Sequence, residues 1–444
     1  MAYFIVETEE QLQDLEPLED SFVEVLLGNN LYHPKLNSMI GVYYRTKEKG
    51  YILPISHSET FSLPVQAIRD FLAKHIKLYC LDKKLVSYFL DTTNMVDLGF
   101  IIMNEENKMP EIDSDPLIHR EFYRNFSHGP QLNRLIPIVK LYERSENIYQ
   151  NISSYIGKDN HWNDFTNSMI KAYKKVEEIG IVIDPHKFED NFQSVNTKFS
   201  VSRNKIYSSY NLYNLTSRPT NAFNGVNFLA INKDDGSRES FIPANNMFIE
   251  LDFEAYHLRL IANMVQEYVG STESIHKLLA KEYYQKEDIS EEEYKEAKQL
   301  SFQQIYGGIK EEYAHIPFFD KILKMQESLW KRYNHHGGIH LSTGRWLKKS
   351  ENLYKQKLFN YYIQNMETVS NVKLLEEIQL LFELEKYKSK ILLVVYDSFL
   401  IDFHSEDGRE CIDKIKEIIN NHGLTAQFKY GANYGSLKKP NYLC

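Results

Sequence analysis

Two segments about 145 residues apart each set an aspartate where a strand-like run gives out. The first, MFIELDFEAYHLRLIANMV, carries Asp252 after an apolar run and before Leu258, Ile261, Ala262 and Val265 at helical spacing. The second, KILLVVYDSFLIDF, reads as a hairpin with Asp397 at its turn. Taken singly, Asp252 reads as a helix N-cap and Asp397 as a turn residue, because both positions favour short oxygen-bearing side chains. As a pair in one core sheet they offer hard oxygen ligands of the kind Mg2+ accepts alongside waters and substrate phosphates. Between them, KEAKQLSFQQIYGGI puts Lys298, Phe302 and Tyr306 on one stripe at four-residue steps, with Lys295 on nearly the same face. Such a stripe also suits a half-exposed packing face. It ends, however, in Gly307 and Gly308, where missing side chains let another backbone or a base come close. A lysine-bearing helix above two strand-end carboxylates is equipment for in-line phosphoryl transfer, which points to nucleotide polymerisation.

The elements that must position these groups follow an α+β pattern. At 444 residues the chain is long enough to split into two or more lobes. Apolar residues make up 43%, yet no run approaches about 20 consecutive apolar residues, so no membrane partner is expected. The acidic start lacks a basic and apolar signal sequence, which reads as a cytoplasmic protein. Cys80, Cys411 and Cys444 show neither metal nor redox spacing, so no zinc site or disulfide framework is expected. The formal charge of −9 opposes binding to a phosphate backbone. The sequence permits basic residues such as Lys171, Lys174, Arg203 and Lys348 to line a channel while the acidic runs face outward. Residues 1 to about 125 mix short strands and helices, 131 to 191 read as helical, and 192 to 246 are polar and rich in Asn, Ser and Thr. Strand, helices and a final strand hairpin follow, with no internal repeat.

These segments together resemble the family A DNA polymerases of the bacterial DNA polymerase I type. Asp252 with Leu258 and Arg259 resembles motif A, Lys298 through Phe302 to Tyr306 and Gly307 resembles motif B, and Asp397 resembles motif C. SIHKLLAKEYY resembles the segment before the motif B helix, placing His276 as a phosphate contact. TGRWLKK with Arg345, LFNYYIQN with Asn360 and Gln364, and LTSRPTN with Arg218 resemble template, minor-groove and primer contacts. GANYGSL resembles the last palm strand.

The resemblance implies a right-hand polymerase fold of palm, fingers and reduced thumb, preceded by an RNase H-like α/β exonuclease-type domain. The corresponding division is residues 1–130 exonuclease-like, 131–215 connector and thumb, 216–265 and 339–444 palm, and 266–338 fingers. It also implies roles. Asp252 and Asp397 would hold two Mg2+ ions, with Mn2+ as a substitute. Lys298 would contact the triphosphate and protonate the leaving group, Phe302 would stack on the incoming nucleotide, and Tyr306 would stack near the template. Primer-template DNA and dNTPs are the implied partners, with a processivity factor or a separate exonuclease as further ones, in a bacterial or phage-infected cytoplasm.

Four departures from the family pattern modify these expectations. His257 stands where the family has the glutamate that excludes a ribose 2′ hydroxyl and bonds the motif B tyrosine, and an imidazole is bulky enough for both tasks. Tyr294 replaces a family arginine, so Lys295 is expected to take over its phosphate contact. Ser398 follows Asp397 where a second acid is usual. Only about 30 residues separate Asp184 from Arg218, too few for the usual thumb. In the first lobe Glu24 and Asp82 remain, but Leu26 replaces the second carboxylate, so proofreading chemistry is expected to be absent. Alternatives to a DNA polymerase are a single-subunit RNA polymerase, a catalytically inactive DNA-binding accessory subunit, and a metal-dependent nuclease or phosphohydrolase.

Overall fold

A computed structural model describes residues 4–110, 129–195, 197–221, 225–267 and 274–439. The chain forms two compact units. The first comprises residues 1–174 with 195–203 and 223–226, and the second comprises 175–194, 204–222 and 227–444. Among the described residues, no helix is long and apolar enough to cross a membrane.

The first unit is built on a six-stranded mixed sheet. Its order is Phe4–Ile5, Gly50–Pro54, Met39–Arg45, Ser21–Leu27, Leu78–Cys80, Met95–Asp97. The central strand Ser21–Leu27 sends Val23, Val25 and Leu27 into one core and Phe22 and Leu26 into another. Burial on both faces explains why this strand reads as a nearly continuous apolar run rather than an alternating one. The helix Val65–Ala73 covers the first core with Ile68, Phe71 and Leu72. The second core is closed by Leu98–Glu106 and Ile138–Ile152. Glu24, the acidic residue of the central strand, accepts an ion pair from Arg144 at 3.1 Å. Asp82 caps the short helix Lys83–Val86, accepting from the Leu85 N–H at 2.9 Å.

The second unit centres on a four-stranded antiparallel sheet ordered Lys390–Val395, Ser398–Phe403, Met247–Phe253, Ala426–Gly431. Its helices share a large apolar core. Leu258 and Ile261 come from Tyr256–Met264, Ile305 from Glu291–Gly307, Phe319 and Ile322 from Pro317–His336, and Ile363 from Lys355–Leu384. This core fixes the helices that carry polar groups around the sheet's edge. Among the described residues from Asp184 to Arg218 the one α-helix is Pro185–Phe192, which Asp184 caps through the His186 and Lys187 N–H groups.

Candidate functional site

Asp252 lies in the last turn of the strand pairing that organises the second unit. It sits opposite Ser398 on one side and Gln427 on the other. Asp397 immediately precedes Ser398, and its carbonyl accepts from the Phe253 N–H at 2.9 Å. Asp397 thus lies in the turn one position beyond the Asp252–Ser398 pair, at the same end of the sheet as Asp252. Both line a cavity of about 590 Å³ within this unit, a size suited to a small-molecule ligand. Asp252 does not cap the following helix; Ala255, at φ +49°, takes that place.

The hairpin turn is the two residues Tyr396 and Asp397 between paired Val395 and Ser398. Tyr396 has φ +53°, in the left-handed region where two-residue turns favour glycine. For a bulky residue this costs on the order of 1–3 kcal/mol. Contacts from other segments hold it: Asn371 Nδ2 donates to the Tyr396 carbonyl at 3.1 Å, and the Arg218 guanidinium lies 4.2 Å over the Tyr396 ring. Partial desolvation, together with the charges of Asp252 and Glu367, raises the Asp397 carboxyl above its ordinary range. A cation placed between the aspartates would relieve that repulsion. The donor set, two carboxylates, fits a hard oxygen-seeking ion. Among the described residues no group of three or more His, Cys, Asp and Glu side chains gathers as a metal set. Instead, Lys429 bridges Asp252 and Glu250, the latter at 2.9 Å.

The opposite wall is the helix Glu291–Gly307. Its start is secured by a capping box: Glu293 N–H donates to Ser290 Oγ at 3.2 Å, and Ser290 N–H to Glu293 Oε2 at 2.9 Å. Glu291, Glu292 and Glu293 in the first turn complement the helix dipole. Tyr294, Lys298, Phe302 and Tyr306 face the cavity, and the Phe302 and Tyr306 rings stack at 6.2 Å with 15° between planes. Lys298 makes no ion pair among the described residues. His276, from the helix Ile275–Tyr284, backs this wall edge-on to Phe302 at 5.4 Å. It is 3% exposed, and neither ring nitrogen has a hydrogen-bond partner among the described residues. Burial, then the charges of Lys298 and Arg259, push its imidazole down to about 4, so it is neutral at neutral pH.

The helix Lys355–Leu384 ties the walls together through a polar stripe at three- and four-residue steps: Gln356, Asn360, Gln364, Glu367 and Asn371. Gln356 donates to the Ile305 carbonyl at 2.5 Å and Asn360 to the Tyr306 carbonyl at 3.2 Å, satisfying carbonyls at the end of the Glu291–Gly307 helix. Gln364 lines the cavity. Glu367, 0% exposed, accepts Arg218 Nε and Nη2 on Oε1 at 3.0 and 2.8 Å. Its Oε2 lies 2.7 Å from His257 Nε2, and His257 Nδ1 is hydrogen-bonded with the Tyr306 hydroxyl. Burial raises that hydroxyl to about 12, with Glu367 adding to the effect. Asn371 accepts from the Tyr256 hydroxyl at 2.7 Å.

The structure therefore brings Arg218, Asp252, His257, His276, Lys298, Phe302, Tyr306, Gln364 and Asp397 to one cavity. Asn360 stands beside it at Tyr306. Lys295 is exposed and does not line the cavity. Gly307 is exposed, and Gly308 at φ +109° ends the helix. Arg345, expected at the template strand, is 0% exposed. Its Nη1 donates to the Asn214 carbonyl at 2.6 Å and to that of Leu215, and burial pushes its guanidinium down to about 10. Asn214 Nδ2 in turn donates to the Arg218 carbonyl at 3.0 Å, so Arg345 anchors the turn that carries Arg218. Sequence reasoning missed Glu367, Asn371, Gln356 and Lys429. The stripe's periodicity was readable around Asn360 and Gln364, whereas nothing local marks Lys429, whose role arises from cross-strand register with Glu250.

No protein-family model matches the chain, and no curated protein matches its sequence. Among solved structures, the POL domain of Pol1 from M. smegmatis, in complex with DNA primer-template and dNTP, matches with a TM-score of 0.69. The match covers 98% of this chain and 100% of that one at 13% sequence identity. The chain thus has the fold of that polymerase domain.

Proposed function

We propose that this chain is a template-directed DNA polymerase that adds dNTPs to a primer 3′ end. The observation that carries this reading is the convergence of Asp252, Asp397 and the Lys298–Phe302–Tyr306 stripe on one cavity, in a fold shared with a polymerase domain bound to primer-template and dNTP. Asp252 and Asp397 would hold divalent metal, Mg2+ by the hardness of their oxygens. Held there, such an ion would supply the Lewis acidity to activate a primer hydroxyl and positive charge to offset the leaving pyrophosphate. Lys429 holds Oδ2 of the Asp252 carboxylate and would compete with metal loading there.

The chain's own groups do the rest. Lys298, on the cavity wall, binds the triphosphate and protonates the leaving group. His276, which lines the same cavity with both ring nitrogens buried and unpartnered among the described residues, supplies a further phosphate contact once a nitrogen is uncovered. Phe302 stacks on the incoming base and sugar, and Tyr306 stands at the template position until the helix moves. His257 excludes the ribose 2′ hydroxyl. Arg218, Asn360 and Gln364 face the primer-template, with Arg345 holding the Arg218 turn rather than touching DNA. The short Asp184–Arg218 segment supports a reduced thumb. The ion-paired Glu24 and the helix-capping Asp82 support a first unit that is an exonuclease-like remnant without proofreading. Primer extension with each dNTP and NTP, comparing the wild type with Asp397→Ala, tests the reading. Template-directed dNTP addition lost in the variant supports it, and no extension by the wild type with Mg2+ or Mn2+ refutes it.

A further inference from the structure

The carboxylate that position 257 lacks returns from another part of the chain. We propose that Glu367 is a positioning residue for sugar selection, fixing the His257 imidazole as the Nε2–H tautomer so that Nδ1 receives the Tyr306 hydroxyl. The proposal rests on the polymerase reading above and names a residue that reading does not need.

The geometry leaves few choices. Glu367 Oε2 lies 2.7 Å from His257 Nε2, and a carboxylate has only acceptor sites, so Nε2 carries the proton. In the proposed tautomer the remaining ring site is the Nδ1 lone pair, to which the Tyr306 hydroxyl donates. Arg218 forks onto the other Glu367 oxygen at 3.0 and 2.8 Å, which compensates the charge of a side chain that is 1% exposed. The relation matches the way a carboxylate behind a histidine fixes its tautomer and ring orientation elsewhere. The His257 side chain is only 11% exposed, and its ring lies nearly parallel to that of Tyr256 at 28°, so the wall it forms is held on two sides. Arg218 also covers the Tyr396 ring at 4.2 Å. Glu367 therefore links the sugar wall, the Tyr306 end of the Glu291–Gly307 helix and the Asp397 hairpin.

Two measurements test the proposal. In the full-length wild type with 15N-labelled histidine, at about pH 8, the His257 signals, assigned by their loss in His257→Gln, should show a protonated Nε2 and a bare Nδ1. An Nδ1–H tautomer or an imidazolium overturns it. In Glu367→Gln, the amide no longer dictates the tautomer, and the dNTP-over-NTP ratio of kcat/KM should fall by about tenfold, the scale of one charge-assisted hydrogen bond. An equal loss for both nucleotide types marks a purely structural role and overturns the proposal, as does an unchanged ratio. If the wild type extends primers with neither nucleotide, the polymerase reading fails, while the tautomer measurement still decides the role of Glu367 on His257.

Discussion

Replacing His276 with leucine exposes the electrostatics of the cavity wall most directly. The imidazole is held down from an ordinary 6.5 to about 4 by burial and by the nearby charges of Lys298 and Arg259. At about 1.4 kcal/mol for each tenfold change in proton affinity, that displacement is worth about 3 kcal/mol. Its sign follows from proton counting. Above pH 6.5 neither folded nor unfolded chain binds the proton, so the stability is fully present. As pH falls from 6.5 toward 4, the unfolded chain takes up a proton that the folded chain refuses, and stability drops. Below about pH 4 both are protonated and the loss levels off. Leucine cannot titrate. The wild-type minus His276→Leu difference in unfolding free energy, from urea curves at a series of pH values, should therefore change by about 3 kcal/mol between about pH 7 and pH 4. Parallel pH curves, or an imidazole titrating near 6.5 by NMR, would refute the reasoning. A triphosphate brought beside His276 supplies the missing partner, so dNTP binding near pH 5 should take up a proton. Calorimetry in buffers of different ionisation enthalpy reads that uptake directly.

Four further outcomes are expected. His257→Ala should raise ribonucleotide incorporation at least about tenfold relative to dNTP, since it removes both the bulk and the Tyr306 partner; unchanged NTP use would show that position 257 is not the wall. Lys295→Ala should leave the KM for dNTP near that of the wild type, because Lys295 is exposed and off the cavity wall; a rise of about tenfold, the value of one charged phosphate contact, would restore the contact expected from the sequence. Lys429→Met removes the ammonium that bridges Asp252 and Glu250, so half-maximal extension should need several-fold less Mg2+; an equal or greater requirement would mean that Lys429 does not compete with metal. Products from a single binding event should be short and shorten further with salt, because the Asp184–Arg218 segment offers few backbone contacts. Long, salt-insensitive products would contradict the reduced thumb.

Much of the site was legible because its signals are local. The stripe of Lys298, Phe302 and Tyr306 follows from helical periodicity alone, and the structure places all three on the cavity wall. Asp397 at a hairpin turn was readable from apolar runs on both sides of it. Asp252 was ambiguous between cap and ligand, because strand-to-helix junctions put oxygen-bearing side chains at either place. Arg345 in a glycine-flanked turn looks like a surface cation, and no local feature announces that its guanidinium closes on the carbonyls of Asn214 and Leu215.

By itself, the sequence determined which chemistry was present and which residues share a helix face or a strand end, since 3.6- and 2-residue periods are set by backbone geometry. Only the tertiary structure decided which of those faces meet. Glu367 reaches His257 across 110 positions, and Lys429 reaches Asp252 across 177. Such pairings depend on strand register and helix packing, which are settled by the burial of apolar surface throughout the unit rather than by the polar residues that they bring together.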